Sequence, residues 1–246
     1  MKNLLRRTAM WLHKWLALLV GLQILAWVLG GVVFALVPFD SWVKSGDVVR
    51  KAPKPSADTL LFPLAEIAQR HAPLRSIELI GQGKSFYYRL TDMAGKRSLV
   101  DAASGQALAP PDEARIRNHA QEIYLGTAKL ASVKRITEAK PRAFWLVDEL
   151  NGKPNVWQAN FADGLNTRLY FAPETGEFLR ARSDAWVVYD FFWRLHIMDY
   201  GSGEDFNNIF LRLLAPLALL LVLSGGVMLF FTQFRKRKAV RYKAAS

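Results

Sequence analysis

The chain has 246 residues, 51% of them hydrophobic, with a formal net charge of +12 and no cysteine. The lack of cysteine excludes disulfides and thiolate metal sites, which suits an oxidising compartment. All 21 acidic residues lie between two uncharged apolar stretches, Trp15–Val37 and Leu213–Phe234. Almost all the excess positive charge therefore sits in the two ends of the chain, which argues for a membrane topology and against nucleic acid.

Residues 1–14 form a basic segment with Lys2, Arg6, Arg7 and Lys14. The first apolar stretch, residues 15–37, rises about 34 Å as a helix and spans a bilayer core of about 30 Å. It exceeds a secretory signal core and no A-x-A site follows, so it reads as a retained anchor. The second span, residues 213–234, rises about 33 Å. A basic tail, residues 235–246, follows with Arg235, Lys236, Arg237, Lys238, Arg241 and Lys243. Cations outside both spans place both termini in the cytoplasm and residues 40–206 on the far side. In that central region 22 lysines and arginines nearly balance the acids. It is long enough for its own core, and Ala52–Asp58 reads as a hinge before it.

The central region repeats itself at an offset of 71. Phe86–Asp92 (FYYRLTD) aligns with Trp157–Asp163 (WQANFAD), Arg97 with Arg168, and Ser104-Gly105 with Thr175-Gly176. Each copy predicts an alternating strand, a polar turn, a second strand (Arg97–Val100; Arg168–Phe171), a tight turn and a third short strand. Helical periodicity over Leu61–His71 and Ala114–Ala128 precedes the copies, leading into the strand-like segments 74–80 and 130–136. The expectation is two units over 60–110 and 114–182, each a helix on an antiparallel sheet, followed by an aromatic membrane-proximal segment, 183–206.

The turn sequences Asp101-x-x-Ser-Gly105 and Pro173-Glu-Thr-Gly176 resemble the end of a PepSY repeat. Arg7–Gly21 (RTAMWLHKWLALLVG), Trp193–Tyr200 (WRLHIMDY) and Leu223-Ser-Gly-Gly226 resemble the PepSY-associated transmembrane family. The resemblance implies an α+β membrane protein, two transmembrane helices flanking a periplasmic domain of two PepSY-like helix-plus-antiparallel-sheet repeats. Larger members of that family resemble inner-membrane reductases that use b-type haem to release iron from ferric siderophores, with about four spans where this chain has two. The implied function is electron transfer in iron acquisition at the bacterial inner membrane. The alternative is a non-catalytic PepSY-like binding or regulatory module, or an accessory subunit, anchored in the bilayer.

Few residues are suited to such chemistry. His13 lies one turn into the first helix, near the membrane edge, above a small, apolar face of Ala17, Val20, Gly21, Ile24 and Gly31, which admits either a porphyrin or a packed helix. His196 follows the aromatic run from Trp186 to Leu195 and is the second candidate haem ligand, with Asp199 placed to orient its free ring nitrogen. The opposing reading makes both interfacial histidines, the second capping an aromatic belt. Because the two lie toward opposite faces, one haem shared within a chain is not expected. A homodimer pairing each histidine with its counterpart, delivering electrons to a ferric siderophore, is the arrangement expected. His196, Asp199, Glu204 and Asp205 are also candidate ligands for ferric iron, or else an exposed turn before a helix. His71 and His119 are expected on the surface, and the matched Arg97 and Arg168 mark either an anionic groove or structural ion pairs. Gly30-Gly31 and Ser224-Gly225-Gly226 are expected where helices meet. No phosphate loop, nucleophile elbow or HExxH motif is present.

Overall fold

The computed structural model describes residues 2–243 except 39, 41–42, 44–47, 57–58 and 202. The side chains of residues 2–6 and 233–243 are outside that description, and with them Lys2, Arg6 and the tail cations on which the orientation rests. The elements are α1 (Lys2–Leu36), α2 (Leu64–His71), β1 (Leu74–Gln82), β2 (Ser85–Asp92), β3 (Arg97–Asp101), α3 (Glu113–Ile123), β4 (Leu130–Ile136), β5 (Val156–Phe161), β6 (Arg168–Phe171), β7 (Phe178–Arg182), α4 (Asp184–Ile197) and α5 (Ile209–Lys243). They divide into a helical unit, residues 1–36 with 189–246, and a sheet unit, residues 37–188. The boundary falls inside α4, so the aromatic segment is shared between them.

In the helical unit, Arg7–Leu36 and Ile209–Thr232 are both long and apolar enough to cross a bilayer. Leu16, Val20 and Leu221 are buried between α1 and α5, with Leu12, Ala17, Ile24, Leu214 and Leu217 against them. Much of the described remainder of each helix faces outward: Leu22 is 79% exposed and Leu229 67%. Such all-round apolar helices are stable only where hydrocarbon is the solvent. Asn208 starts α5, its Oδ1 accepting the Leu211 N–H at 3.0 Å, as an N-cap does.

The sheet unit holds a three-stranded antiparallel sheet, β1-β2-β3, and a four-stranded one, β4-β5-β6-β7. The offset of 71 recurs in the backbone. Gly105 donates to Asp101 O and Gly176 to Ala172 O, each at 2.9 Å, while Asp101 N–H and Ala172 N–H donate to Gln106 O and Glu177 O, each at 2.8 Å. Both glycines have positive φ, 72° and 71°, a region that favours glycine over residues with a Cβ. The copies differ where a third strand is expected in both: the second has β7, but the first has only a single bridge, Val100 to Ala107. They differ again between the first two strands, where Gly83-Lys84 joins β1 to β2 but residues 137–155 separate β4 from β5.

Each sheet is covered by its helix. Ile67 of α2 packs on Tyr88, Leu90, Val100 and Ala102. Ile116, Ala120 and Ile123 of α3, at helical spacing, pack on Val133, Ala159, Phe161, Leu169 and Phe171. Asp112 caps α3 by accepting the Arg115 N–H at 2.8 Å.

His119 is not the surface histidine expected from its arginine-rich neighbourhood. It faces the sheet, its ring centroid 5.1 Å from that of Phe171, with Nδ1 3.0 Å from Gly176 O. Burial, only partly offset by that hydrogen bond, holds its pKa below the ordinary value. A histidine whose folded pKa is depressed stabilises above its unfolded pKa, about 6.5, and that contribution is lost as pH falls through and below it. Thermal melts of the full chain in detergent will show the sheet unit losing stability between pH 7.5 and 5.5. The His119→Gln variant, which keeps a donor for Gly176 O, will flatten that dependence.

Candidate functional site

His13 lies at the meeting of α1 and α5. Its Nδ1 is 3.0 Å from Ser224 Oγ and 3.2 Å from Leu221 O, and the Ser224 hydroxyl itself donates to Leu221 O at 2.8 Å. With the serine proton placed on the carbonyl, both groups present acceptors to Nδ1, an arrangement that suits the tautomer protonated there. The neutral ring then carries its lone pair on Nε2. Gly225 permits the approach: a Cβ there would lie 3.1 Å from His13 Cε1. The small face below His13 is the surface on which α5 packs, through Ala17, Val20 and Ile24.

His196 is near the end of α4 and packs on α1 at Gly30, where an added Cβ would lie 3.7 Å from its Nδ1. That nitrogen is buried with no hydrogen-bond partner. Phe34 meets the ring edge-on at 5.6 Å and Trp27 lies 6.4 Å away. The helix end is fixed by side chains the sequence analysis does not single out. Gln23 Nε2 donates to Leu195 O at 2.8 Å, Trp27 Nε1 to His196 O at 2.7 Å, and Asn208 Nδ2 to Ile197 O at 2.8 Å. These carbonyls have no partner within their own helix, and a glutamine inside an apolar span was the signal for them. His13 and Gly30 are 17 residues apart on α1, about 26 Å of helix, so the two histidines cannot ligate one haem within a chain.

Asp199 does not orient His196. It accepts the backbone N–H groups of Gly201, Glu204 and Asp205, each at 2.9 Å, and so organises the turn before α5. Among the described residues no three His, Asp or Glu side chains are grouped to hold a metal ion, so His196, Asp199, Glu204 and Asp205 are not gathered into a ligand set. Arg194 underpins the same turn: it is 1% exposed, its Nε donates to Asp190 at 2.7 Å and its Nη1 to Gly201 O at 2.6 Å. Gly203, at φ 75°, leaves room for it, since a Cβ would stand 2.9 Å from the guanidinium carbon. The aromatic run is not one belt. Trp186 is 6% exposed under the Arg182 guanidinium, 3.9 Å from its ring centroid, whereas Trp193 donates to Gly203 O at 3.1 Å.

The sheet unit holds an open cavity of about 770 Å³ over β4–β6, lined in part by Ser132, Lys134, Arg142, Glu149, Gln158 and Tyr170. At its floor Arg168 grips Glu149 through two hydrogen bonds, 2.9 and 2.7 Å, and reaches Asp184 at 3.0 Å. Tyr170 OH also donates to Glu149; burial and that carboxylate push the phenol far above its ordinary pKa. Arg142 joins Glu149 at 3.1 Å and Asp184 at 2.9 Å. Arg168 is thus a structural ion pair, and its repeat counterpart Arg97 is exposed. Glu149 comes from the insertion 137–155, which the repeat alignment does not reach. The insertion ends in a tight turn with three successive left-handed residues, Ala143 (φ 46°), Phe144 (57°) and Trp145 (68°), each costing about 1–2 kcal/mol for an L-residue.

Two membrane-crossing helices on an α+β sheet unit define the class of this protein. The profile described as the PepSY-associated TM region matches residues 10–246, and the chain belongs to that family. No curated protein and no solved structure gives a match.

Replacing Glu149 by Gln removes one of the two carboxylates that pair with buried Arg168 and leaves it Asp184 alone, and denaturation of the full chain will show the sheet unit destabilised by about 1.5–3 kcal/mol. In the helical unit, Gln23→Leu orphans the Leu195 carbonyl, at a cost of about 1–3 kcal/mol in stability in detergent.

Proposed function

We propose that this protein is a haem-binding electron-transfer protein of the bacterial inner membrane, acting in iron acquisition by reducing ferric iron or a ferric siderophore at the periplasmic face. The observation that carries the reading is the placement of His13 Nδ1 3.2 Å from Leu221 O and 3.0 Å from Ser224 Oγ. Metal-binding histidines donate their other ring N–H to a carbonyl or hydroxyl, which fixes the ring and raises its basicity. His13 does this toward Leu221 O and Ser224 Oγ, leaving Nε2 to meet iron. His196 fits in part: ligation through Nε2 leaves its buried Nδ1 proton without an acceptor, at a cost of about 1–3 kcal/mol, while the aromatic rings of Trp27 and Phe34 shield the ring. Haem held by these histidines would supply reversible one-electron exchange, the chemistry that reduction of ferric iron requires. The chain's own residues hold the two imidazoles about 26 Å apart along α1, a separation that suits one redox centre toward each membrane face. Each histidine would hold its haem together with the same histidine of a second copy, so this reading calls for a homodimer. Gly21, Gly31 and Gly226, which have no neighbour within 4 Å, offer small faces for that association. The basic tails support cytoplasmic termini and a periplasmic sheet unit.

The cavity over β4–β6 favours a second reading, in which the sheet unit is a binding or regulatory module, or the chain an accessory subunit, and the helices only anchor it. The two separate by spectroscopy. Reduced-minus-oxidised spectra of the full chain in mild detergent will show b-type bands, lost in part in His13→Ala and in His196→Ala, and weakened or shifted in Ser224→Ala. A featureless spectrum from folded wild-type protein assigns the chain to the binding module.

A further inference from the structure

The insertion 137–155 presents its two largest side chains outward. Phe144 and Trp145 are 84% and 85% exposed, more than any other aromatic residue of the sheet unit among the described residues. They do not sit on a loose loop. Arg142 and Val147 exchange backbone hydrogen bonds at 2.7 and 3.1 Å, and Leu146 N–H donates to Ala143 O at 3.2 Å, closing the turn beneath them. Arg142 fastens the base of this hairpin to Glu149 and Asp184, and Val147, at its foot, is fully buried. The backbone adopts left-handed angles at Ala143, Phe144 and Trp145, and residues held in such angles cluster where a chain presents side chains to a ligand. Trp145 in particular leaves its indole in water on a rigid tip, where it adds nothing to the buried core of this unit. An exposed apolar feature of this kind marks a contact.

We propose that the Phe144-Trp145 tip inserts into the headgroup layer of the bilayer, making the sheet unit a peripheral membrane binder in addition to its tether. Three observations favour lipid over another protein. The chain carries two helices long and apolar enough to cross a bilayer, so this unit is tethered to a membrane. Tryptophan and phenylalanine are the side chains that partition into the interface, the indole N–H staying among the headgroups while the ring enters the acyl boundary. Lys140, exposed and two residues before Arg142, makes no hydrogen bond or ion pair among the described residues and is placed for an anionic phosphate, while Arg135 and Lys134 add positive charge on the adjoining wall of the cavity. The acids near the tip, Glu138 and Asp148, are outnumbered by Lys134, Arg135 and Lys140, which leaves this end of the unit with a small positive excess. The proposal does not depend on haem, because it concerns only where this tip rests.

Since the chain has no cysteine, a single one can be placed at will. Trp145→Cys, labelled with nitrobenzoxadiazole, is compared in full-length protein in nanodiscs with Met93→Cys, 67% exposed in the turn between β2 and β3. The label at 145 is expected to emit to the blue of that at 93 and to be quenched several-fold more by doxyl-labelled lipid. Both effects should grow when phosphatidylglycerol replaces part of the phosphatidylcholine and diminish when Phe144→Ser is added. Equal access of iodide to the two labels overturns the proposal. A blue-shifted label insensitive to doxyl lipid also overturns it and assigns the tip to a protein contact. Unchanged thermal midpoints of the labelled variants show that the sheet unit has stayed folded.

Discussion

The helical unit depends on how α4 ends. A helix that stops near a bilayer leaves its last carbonyls without intrahelical partners, and apolar surroundings offer no water to replace them. Here Leu195, His196 and Ile197 each give their carbonyl to a side chain from elsewhere, respectively Gln23 and Trp27 of α1 and Asn208 at the start of α5. Met198 then turns the chain with φ 54°, as residues following a helix commonly do. Three helices are joined by hydrogen bonds where burial of apolar surface contributes little. The position of His196 follows, because its backbone is one of the three held.

The two histidines are placed by opposite arrangements. At His13 a hydroxyl and a carbonyl select one ring nitrogen as donor and leave the other as a base, whereas at His196 the enclosed nitrogen faces the α1 backbone at Gly30 and has no partner. At His13 the close approach depends on a missing side chain, since a Cβ on Gly225 would lie 3.1 Å from the ring, whereas at Gly30 a Cβ would meet His196 at an ordinary contact distance of 3.7 Å. Ser224-Gly225 therefore brings the two apolar helices together, while Gly30 only lies against α4.

In the sheet unit, a repeated scaffold is made asymmetric by one insertion. Both copies share the helix, the first strands and a turn closed by the same pair of backbone hydrogen bonds. Only the second carries residues 137–155, and with them Glu149, the carboxylate on which Arg142, Arg168 and Tyr170 converge. A buried arginine without this partner would be strongly destabilising, so insertion and cavity floor form one structure.

The sequence by itself determined the two membrane helices, because length and apolar composition suffice to specify a helix where every backbone group must be bonded internally. It also determined the duplicated sheet unit, because alternation, turn glycines and a constant offset are local patterns that survive in one dimension. Only the tertiary structure decided which polar side chains meet. Gln23 and Leu195 are 172 residues apart, His13 and Ser224 211, and no periodicity links them. It turned His119 inward onto Phe171, moved Asp199 from a place beside His196 to the centre of a turn, and split the aromatic run so that Trp186 is buried in the sheet unit while Trp193 serves the helical one. A side chain's environment is set by whatever the rest of the chain brings beside it. Hydrogen-bond geometry, unlike hydropathy, is fixed only when both partners are in place.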